Sequence, residues 1–195
     1  MQILYSDNSI VVCVKPVGLD SEKEMPQALE TELGGEFYPV HRLDKNVGGV
    51  MVYARTRPAA AKLARSIQNG DMVKEYVALV HGEPPESGDW EDLLWKDSRK
   101  NKVFVVKRER KGVKKARLEY CRLAAGEKSL VRVRLHTGRS HQIRVQFAFR
   151  GFPLVGDHKY GARDEKTAPM LFSCCLSFPH RGEMREFELL PDWAK

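Results

Sequence analysis

The stretch Ser129-Leu130-Val131-Arg132-Val133-Arg134-Leu135-His136-Thr137-Gly138-Arg139-Ser140-His141-Gln142-Ile143-Arg144-Val145-Gln146-Phe147-Ala148-Phe149-Arg150-Gly151 changes its periodicity midway. In its first part Val131, Val133 and Leu135 alternate with Arg132, Arg134 and His136. That two-residue repeat describes a strand with one buried side and one cationic, solvent-facing side. From about Ser140 to Arg150 the repeat becomes helical, with Ser140 able to cap the first turn and Gly151 placed just past the last. Strands cluster in the rest of the chain and helices are few. The expected fold is therefore α+β, a largely antiparallel or mixed sheet with a few flanking helices and a central cleft.

Residues 103–107 and 116–123 carry the same strand signature, separated by basic turns. Near the start, residues 3–6 and 9–15 read as two strands joined at Asp7-Asn8. The second ends at Lys15-Pro16-Val17-Gly18, because Pro16 has no N–H for a ladder. An acidic stretch to about Gly35 is expected to be loop with a short helix. Residues 49–54 form a strand. Thr56, Pro58 and Gly70 frame the next helix, whose apolar stripe is Ala60, Leu63, Ala64 and Ile67. Residues 73–82 are a strong strand, 83–88 a Pro-rich loop, and 171–178 and 185–190 the last strands. No internal repeat is evident, and one domain over residues 1–195 is expected.

Charge is distributed unevenly. The chain has a formal net charge of +7, yet residues 96–150 hold 18 of the 33 Lys and Arg and only 4 of the 26 Asp and Glu. The remainder is net acidic. A local excess of this size suits a surface that faces polyphosphate, although a solvated basic face would produce the same count. The cysteines, Cys13, Cys121, Cys174 and Cys175, form no C-x-x-C pair, so reduced and mostly buried thiols are expected. No apolar run approaches the roughly 20 residues of a membrane span, and the N-terminus lacks the features of a signal peptide. A cytoplasmic location is the expectation.

Several side chains could carry chemistry. On a helical wheel Arg139, Gln142, Gln146 and Arg150 share a polar face, and Arg144 falls among Ile143, Val145, Phe147 and Ala148. A guanidinium in that position must reach a carboxylate, a phosphate or water, since burying it unpaired costs several kcal/mol. Asp44 is the leading candidate partner. It lies in a loop between Pro39 and Gly48-Gly49, with His41, Arg42 and Lys45 favouring its ionised form. A turn-capping role for Asp44 and a structural ion pair for Arg144 remain open. Tyr76, mid-strand, offers a ring for stacking and a hydroxyl for proton transfer, or it simply packs. His136 and His141 flank Arg139 at a helix start, an arrangement better suited to phosphate than to zinc, for which third and fourth ligands are lacking. No Walker loop, G-x-G-x-x-G or G-x-S-x-G is present. No cofactor and no metal are expected.

Six ordered blocks together resemble the RluA family of pseudouridine synthases. They are LYSDNSIVVCVKPVGL near the start, His41-Arg42-Leu43-Asp44, KEYVALVHG from Lys74 to Gly82, HTGRSHQIR from His136 to Arg144, GFPLVGDHKYG from Gly151 to Gly161, and LSFPHRGEMREFELLPDW near the end. The resemblance implies conversion of uridine to pseudouridine in ribosomal or transfer RNA, breaking C1′–N1 and forming C1′–C5 without a cofactor. It implies that Asp44 is the essential carboxylate, acting either on C1′ or on a C2′ proton. Tyr76 would stack on the target base, Arg144 would pair with Asp44, and Ile143 would pack beside Tyr76. Arg42 would occupy the space left by the flipped base. His41, Lys45, Arg139 and His141 complete the expected RNA-contacting set, with the backbone held on the basic surface of residues 96–150.

Two positions depart from the family pattern. Asn46-Val47-Gly48-Gly49 replaces the usual polar Thr-Ser-Gly run. Gln146 stands where a histidine is common, and its place on the polar helix face predicts altered RNA contacts. A monomer without an additional RNA-binding module is expected, and no membrane partner. The alternative is a catalytically silent RNA-binding or remodelling protein on the same fold. A metal-dependent hydrolase is disfavoured by the missing ligand clusters.

Overall fold

The computed structural model describes residues 1–195. The elements in chain order are β1 (Ile3–Ser6), β2 (Ile10–Lys15), α1 (Glu24–Leu33), β3 (Tyr38–Pro39), β4 (Gly48–Ala54), α2 (Arg57–Asn69), β5 (Val73–His81), β6 (Ser87–Asp97), β7 (Lys102–Val106), β8 (Val113–Ala124), β9 (Lys128–Leu135), α3 (Gln142–Phe149), β10 (Leu171–His180) and β11 (Glu183–Glu188). Short 3-10 turns lie at His158–Tyr160 and Asp192–Ala194. The fold class is α+β with mixed strand pairing, as expected. The chain divides into two compact units. One comprises Met1–Lys74 with Phe172–Trp193 and Lys195, and the other Glu75–Leu171 with Ala194.

In the first unit β2 runs antiparallel between β1 and β4, and β4 also pairs with the short β3. β10 joins β4 in parallel at Gly48/Phe172 and Gly49/Ser173, and β11 returns antiparallel to β10. Every residue of β4 is buried, which is why it reads as an unbroken apolar run rather than an alternation. Ile10, Val12, Val50, Val52, Ala54, Leu176 and Phe178 form a core with Leu63 of α2, against which Ala59, Ala60 and Ile67 of the same helix also pack. Thr56 Oγ1 accepts the Ala59 N–H at 3.3 Å, and Gly70 ends α2 in the left-handed region. The Gly-Gly pair has a steric origin. A Cβ at Gly49 (φ +133°) would lie 2.4 Å from the Ser173 nitrogen, so the parallel approach of β10 requires a bare backbone there.

The second unit is an antiparallel sheet in the order β5-β9-β8-β6-β7. α3 packs on one face through Val145, which meets Leu94, Val103 and Ala116, and through Phe147, whose ring contacts Trp90 and Tyr120. The eleven-residue β6 has no counterpart in the strand expectations, and its first two residues fall in the expected Pro-rich loop. Its alternation is blurred because Asp92 is a buried partner for α3 rather than a surface group. Asp92 accepts from Gln146 Nε2 at 2.7 Å and from Arg150 at 2.8 and 3.2 Å.

That contact corrects the reading of α3. The helix is buried along Gln142–Phe147, polar residues included. Gln146 is fully buried against β6, so its side chain faces that strand rather than solvent. Ser140 does not cap the helix. The N-terminal residue is His141 in the left-handed region (φ 51°), and the Gln142 side chain turns back to accept from Thr137 Oγ1 and the Arg139 N–H. A wheel registers polarity but not whether a polar face meets water or another element's carboxylate.

Asp7 ties the β1–β2 turn to the β10–β11 turn. Oδ1 accepts the Ser9 and Ile10 amides at 2.7 and 2.9 Å, while Oδ2 accepts Tyr5 Oη at 3.0 Å and buried His180 Nε2 at 2.8 Å. Burial opposes the charge, but the bonds from His180, the two amides and Tyr5 outweigh it and hold the carboxyl far below its usual range. The sign of the pH effect follows. With the folded pKa depressed, the contribution is complete above the unfolded value of about 3.9 and is lost as pH falls through it toward the folded value. Asp7→Asn is expected to lower stability by about 2–3 kcal/mol at pH 7 and to flatten its decline below about pH 4. Urea unfolding across that range is the check, and parallel acid profiles for the two proteins would contradict the assignment.

Candidate active site

In the first unit the functional loop is held by its backbone. The Lys15 side chain is wholly buried at the end of β2, with no carboxylate bonded to it. Its ammonium instead donates to the carbonyls of Pro16 (2.9 Å), Leu19 (2.7 Å) and Lys45 (3.2 Å). Burial pushes its pKa down to about 8 against the opposing pull of Asp20, Asp44 and Glu24. The Gly18 N–H also donates to the Lys45 carbonyl. On the other side of Asp44, the Ser21 hydroxyl donates to the Leu43 carbonyl at 3.0 Å and accepts the Leu43 N–H at 3.2 Å, and Leu43 itself is buried. Tyr53 Oη donates to the Ser21 carbonyl. The Val47 N–H closes a turn on the Asp44 carbonyl. Residues 43, 44 and 45 are therefore all hydrogen-bonded through the main chain, and the half-buried Asp44 side chain rides on a clamped backbone.

The other expected residues of this loop have definite places. Arg42 pairs with Glu22 at 2.5 Å and Lys45 with Glu24 at 3.1 Å, both pairs largely exposed. His41 Nε2 accepts the Val52 N–H of β4 at 3.1 Å. Burial, with a smaller effect from the Lys74 ammonium, pushes its pKa down to about 3, so the ring is neutral with its proton on Nδ1.

In the second unit Tyr76 is buried within β5, opposite Val133 of β9, and Ile143 is buried in α3. Arg144 makes a bidentate pair with Asp157, Nε–Oδ2 at 2.6 Å and Nη2–Oδ1 at 2.8 Å. Both side chains are nearly inaccessible, at 8% and 1% exposure. The parallel geometry suits a guanidinium removed from water. Its carbon also lies 5.2 Å from the centre of the Tyr160 ring. Tyr160 Oη accepts the Val103 N–H at 2.8 Å and lies 2.9 Å from His141 Nδ1. Arg139 Nε donates to the Lys115 carbonyl at 2.9 Å. His141, Arg144 and Tyr160 thus form one cluster at the start of α3.

Sequence reasoning assigned no role to Lys15, Ser21, Asp157 or Tyr160. The last two sit in GFPLVGDHKYG, and the signal available was the wheel's demand for a carboxylate opposite Arg144. Asp157 meets that demand within this unit. The basic segment is also less cationic than its count. Arg132 pairs with Glu75, Arg117 with Asp89 and Glu119, and His136 lies against Glu119. No group of three or more His, Cys, Asp or Glu side chains is arranged to hold a metal ion. No helix is long and apolar enough to cross a membrane.

Residues 9–149 match a family model described as RNA pseudouridylate synthase. The chain is 34% identical over 177 residues to ribosomal large subunit pseudouridine synthase D of Vibrio cholerae, covering 84% of this chain and 53% of that protein. It is 33% identical to an uncharacterized RNA pseudouridine synthase of Aquifex aeolicus, covering 97% of this chain and 69% of that one. The chain thus spans about half the length of several curated relatives that it matches. Among solved structures, human RNA pseudouridylate synthase domain containing 4 superposes with a TM-score of 0.82 at 25% identity, covering 99% of this chain and 90% of that one. Human RNA pseudouridylate synthase domain containing 1 shares the fold, with a TM-score of 0.86 at 23% identity over 97% and 83% of the two chains.

Two outcomes test this geometry. Asp157→Ala strands a buried guanidinium and is expected to destabilise the protein by about 3–5 kcal/mol, whereas Asp157→Leu combined with Arg144→Met restores much of that loss. Chemical unfolding of the wild type and the two variants measures both effects. In an NMR titration from pH 5 to 8 the His41 ring signals should stay still. An inflection near pH 6.5 would show that the imidazole is solvated.

Proposed function

Because the chain belongs to the RluA-type RNA pseudouridylate synthase family, we propose that it isomerises uridine to pseudouridine within RNA, with Asp44 as the essential carboxylate. The observation that carries this reading is the main-chain clamp on residues 43–45. A carboxylate on a fixed backbone can be aimed at a sugar without ordering a loop during the reaction. A loop aspartate whose only role was to cap a turn would not need a buried ammonium and a buried hydroxyl to hold its two neighbours.

In the proposed reaction the target uridine is flipped out of its stack, since its glycosidic bond is otherwise unreachable. Asp44 acts on the sugar as C1′–N1 breaks, either adding to C1′ or helping remove the C2′ proton. The uracil turns, and C5 bonds to C1′ as the Asp44–C1′ bond breaks or, in the other route, as C2′ regains its proton; N1 then gains a proton and C5 loses its own. Tyr76 supplies the ring under the base and a hydroxyl for that proton, with Ile143 packed beside it. By the family resemblance, Arg144 acts together with Asp44. Arg42, once released from Glu22, occupies the space vacated by the flipped base. Lys45, Arg139 and His141 contact the RNA backbone. His41 would contribute through a neutral ring anchored to β4, which limits it to hydrogen bonding and shape. The two units act as one catalytic domain, working without a cofactor as a monomer in the cytoplasm on ribosomal or transfer RNA.

RNA carrying tritium at uridine C5 tests the proposal. Wild-type protein should release tritium, and Asp44→Asn should lower the single-turnover rate by about 10³-fold or more while leaving RNA affinity within about twofold. Tyr76→Phe should lower it by about 10²-fold. RNA binding without release by the wild type would indicate a binding protein on this fold. Full release by Asp44→Asn would move the catalytic role to another residue.

A further inference from the structure

Beside Arg139, the second unit holds a pocket at its β6–β7–β8 end. It is lined by Leu94 and Lys96 of β6, Val103 of β7, Gly112, Lys114 of β8 and the segment Gly138–Ser140, and it encloses about 160 Å³. Leu94 lies opposite Lys114 and Lys96 opposite Val103, so both ammonium stems rise from the sheet face that α3 covers. The floor is apolar because Leu94 and Val103 belong to the cluster packed against Val145. The rim is cationic. Lys96, Lys114 and Arg139 reach it, and no carboxylate lines it.

What sets these three cations apart is that they share the rim of one pocket. Arg132, Arg117 and Arg150 are each paired with carboxylates, whereas Lys96 and Lys114 form no ion pair. Arg139 is held by its Nε to the Lys115 carbonyl, which orients the guanidinium while leaving its charge uncompensated. Like charges gathered around one small cavity repel one another, and the arrangement is relieved when an anion enters. A single carboxylate would leave two of them unmatched. A phosphate group, with its several acceptor oxygens, suits three converging donors, and the apolar floor can accept the adjoining sugar.

We propose that Lys96, Lys114 and Arg139 form a phosphate-binding subsite, apart from the reacting nucleotide, that grips the RNA backbone and sets its register on the enzyme. The RNA as source of the phosphate rests on the function proposed above, but the anion site does not.

The test uses full-length protein carrying Asp44→Asn, so that binding is read without turnover. Affinity for a fluorescein-labelled, uridine-containing RNA is measured from 50 to 300 mM KCl, with and without Lys96→Gln and Lys114→Gln. The double substitution should weaken binding by about tenfold at 100 mM salt and reduce the slope of log K against log [salt] by about 1, with unfolding curves unchanged. Inorganic phosphate serves as the second probe. Millimolar phosphate should compete with RNA in the parent and not in the doubly substituted protein. Equal affinity and slope in the two proteins would overturn the proposal, even if tritium release by the wild type upheld the catalytic reading. Saturable phosphate binding that RNA does not displace would overturn it as well, by making the site one for free phosphate. Loss of RNA binding in the substituted protein, with no tritium release by the wild type, would sustain the subsite and reject the catalytic assignment.

Discussion

A charge taken out of water must be surrounded by partners, and three buried charges satisfy that demand in three different ways. Lys15 has carbonyl oxygens and no bonded carboxylate. Arg144 has a bidentate carboxylate and an aromatic face. Asp7 has two amides, a phenol and an imidazole. Each solution fixes segments distant in the chain. Lys15 binds the turn after β2 to the loop before β4, Arg144 binds α3 to the turn at residues 157–160, and Asp7 joins two hairpin turns. Exposed pairs such as Arg42–Glu22 and Lys45–Glu24 have no comparable effect, because water solvates either partner alone at little cost.

These fixed points also carry the candidate chemistry. Asp44 stands between two residues whose main-chain groups are bound by the β2 turn, so the ordering entropy of the loop is lost on folding rather than on binding substrate. Arg144 is oriented by Asp157, and Asp157 belongs to a turn whose tyrosine receives the β7 amide and meets His141. The sheet, α3 and the turn are coupled through one phenol. A change at Tyr160 would therefore act on Arg144 without touching substrate.

Electrostatics looks different once the side chains are placed. The excess of Lys and Arg between residues 96 and 150 is a property of the chain, and part of it is neutralised within the fold. Glu75 and Asp89 lie outside that segment and neutralise Arg132 and Arg117 from neighbouring strands. Asp92, also outside it, holds Arg150. Among the cations left without a carboxylate, Lys96, Lys114 and Arg139 share the rim of one pocket.

Much of the protein was legible from local chemistry. The apolar runs of β2, β4 and β5, the Thr56 and Gly70 boundaries of α2, and the period change from β9 to α3 depend on residues a few positions apart, which bond or pack within one element. The motif carrying Asp44 and the requirement that Arg144 find an acid were legible in the same way. What waited on packing was every partnership between distant segments. β6 stayed hidden because Asp92 faces inward to meet Gln146 and Arg150. Gln146 itself was misplaced because a polar helix face can meet a carboxylate as readily as water. Lys15, Ser21, Asp157 and Tyr160 carried no signal of their own, since a lysine that binds a carbonyl thirty residues away has the same local sequence as one that points into solvent. Periodicity and capping report which side of an element is apolar. Only the folded chain says what the other side touches.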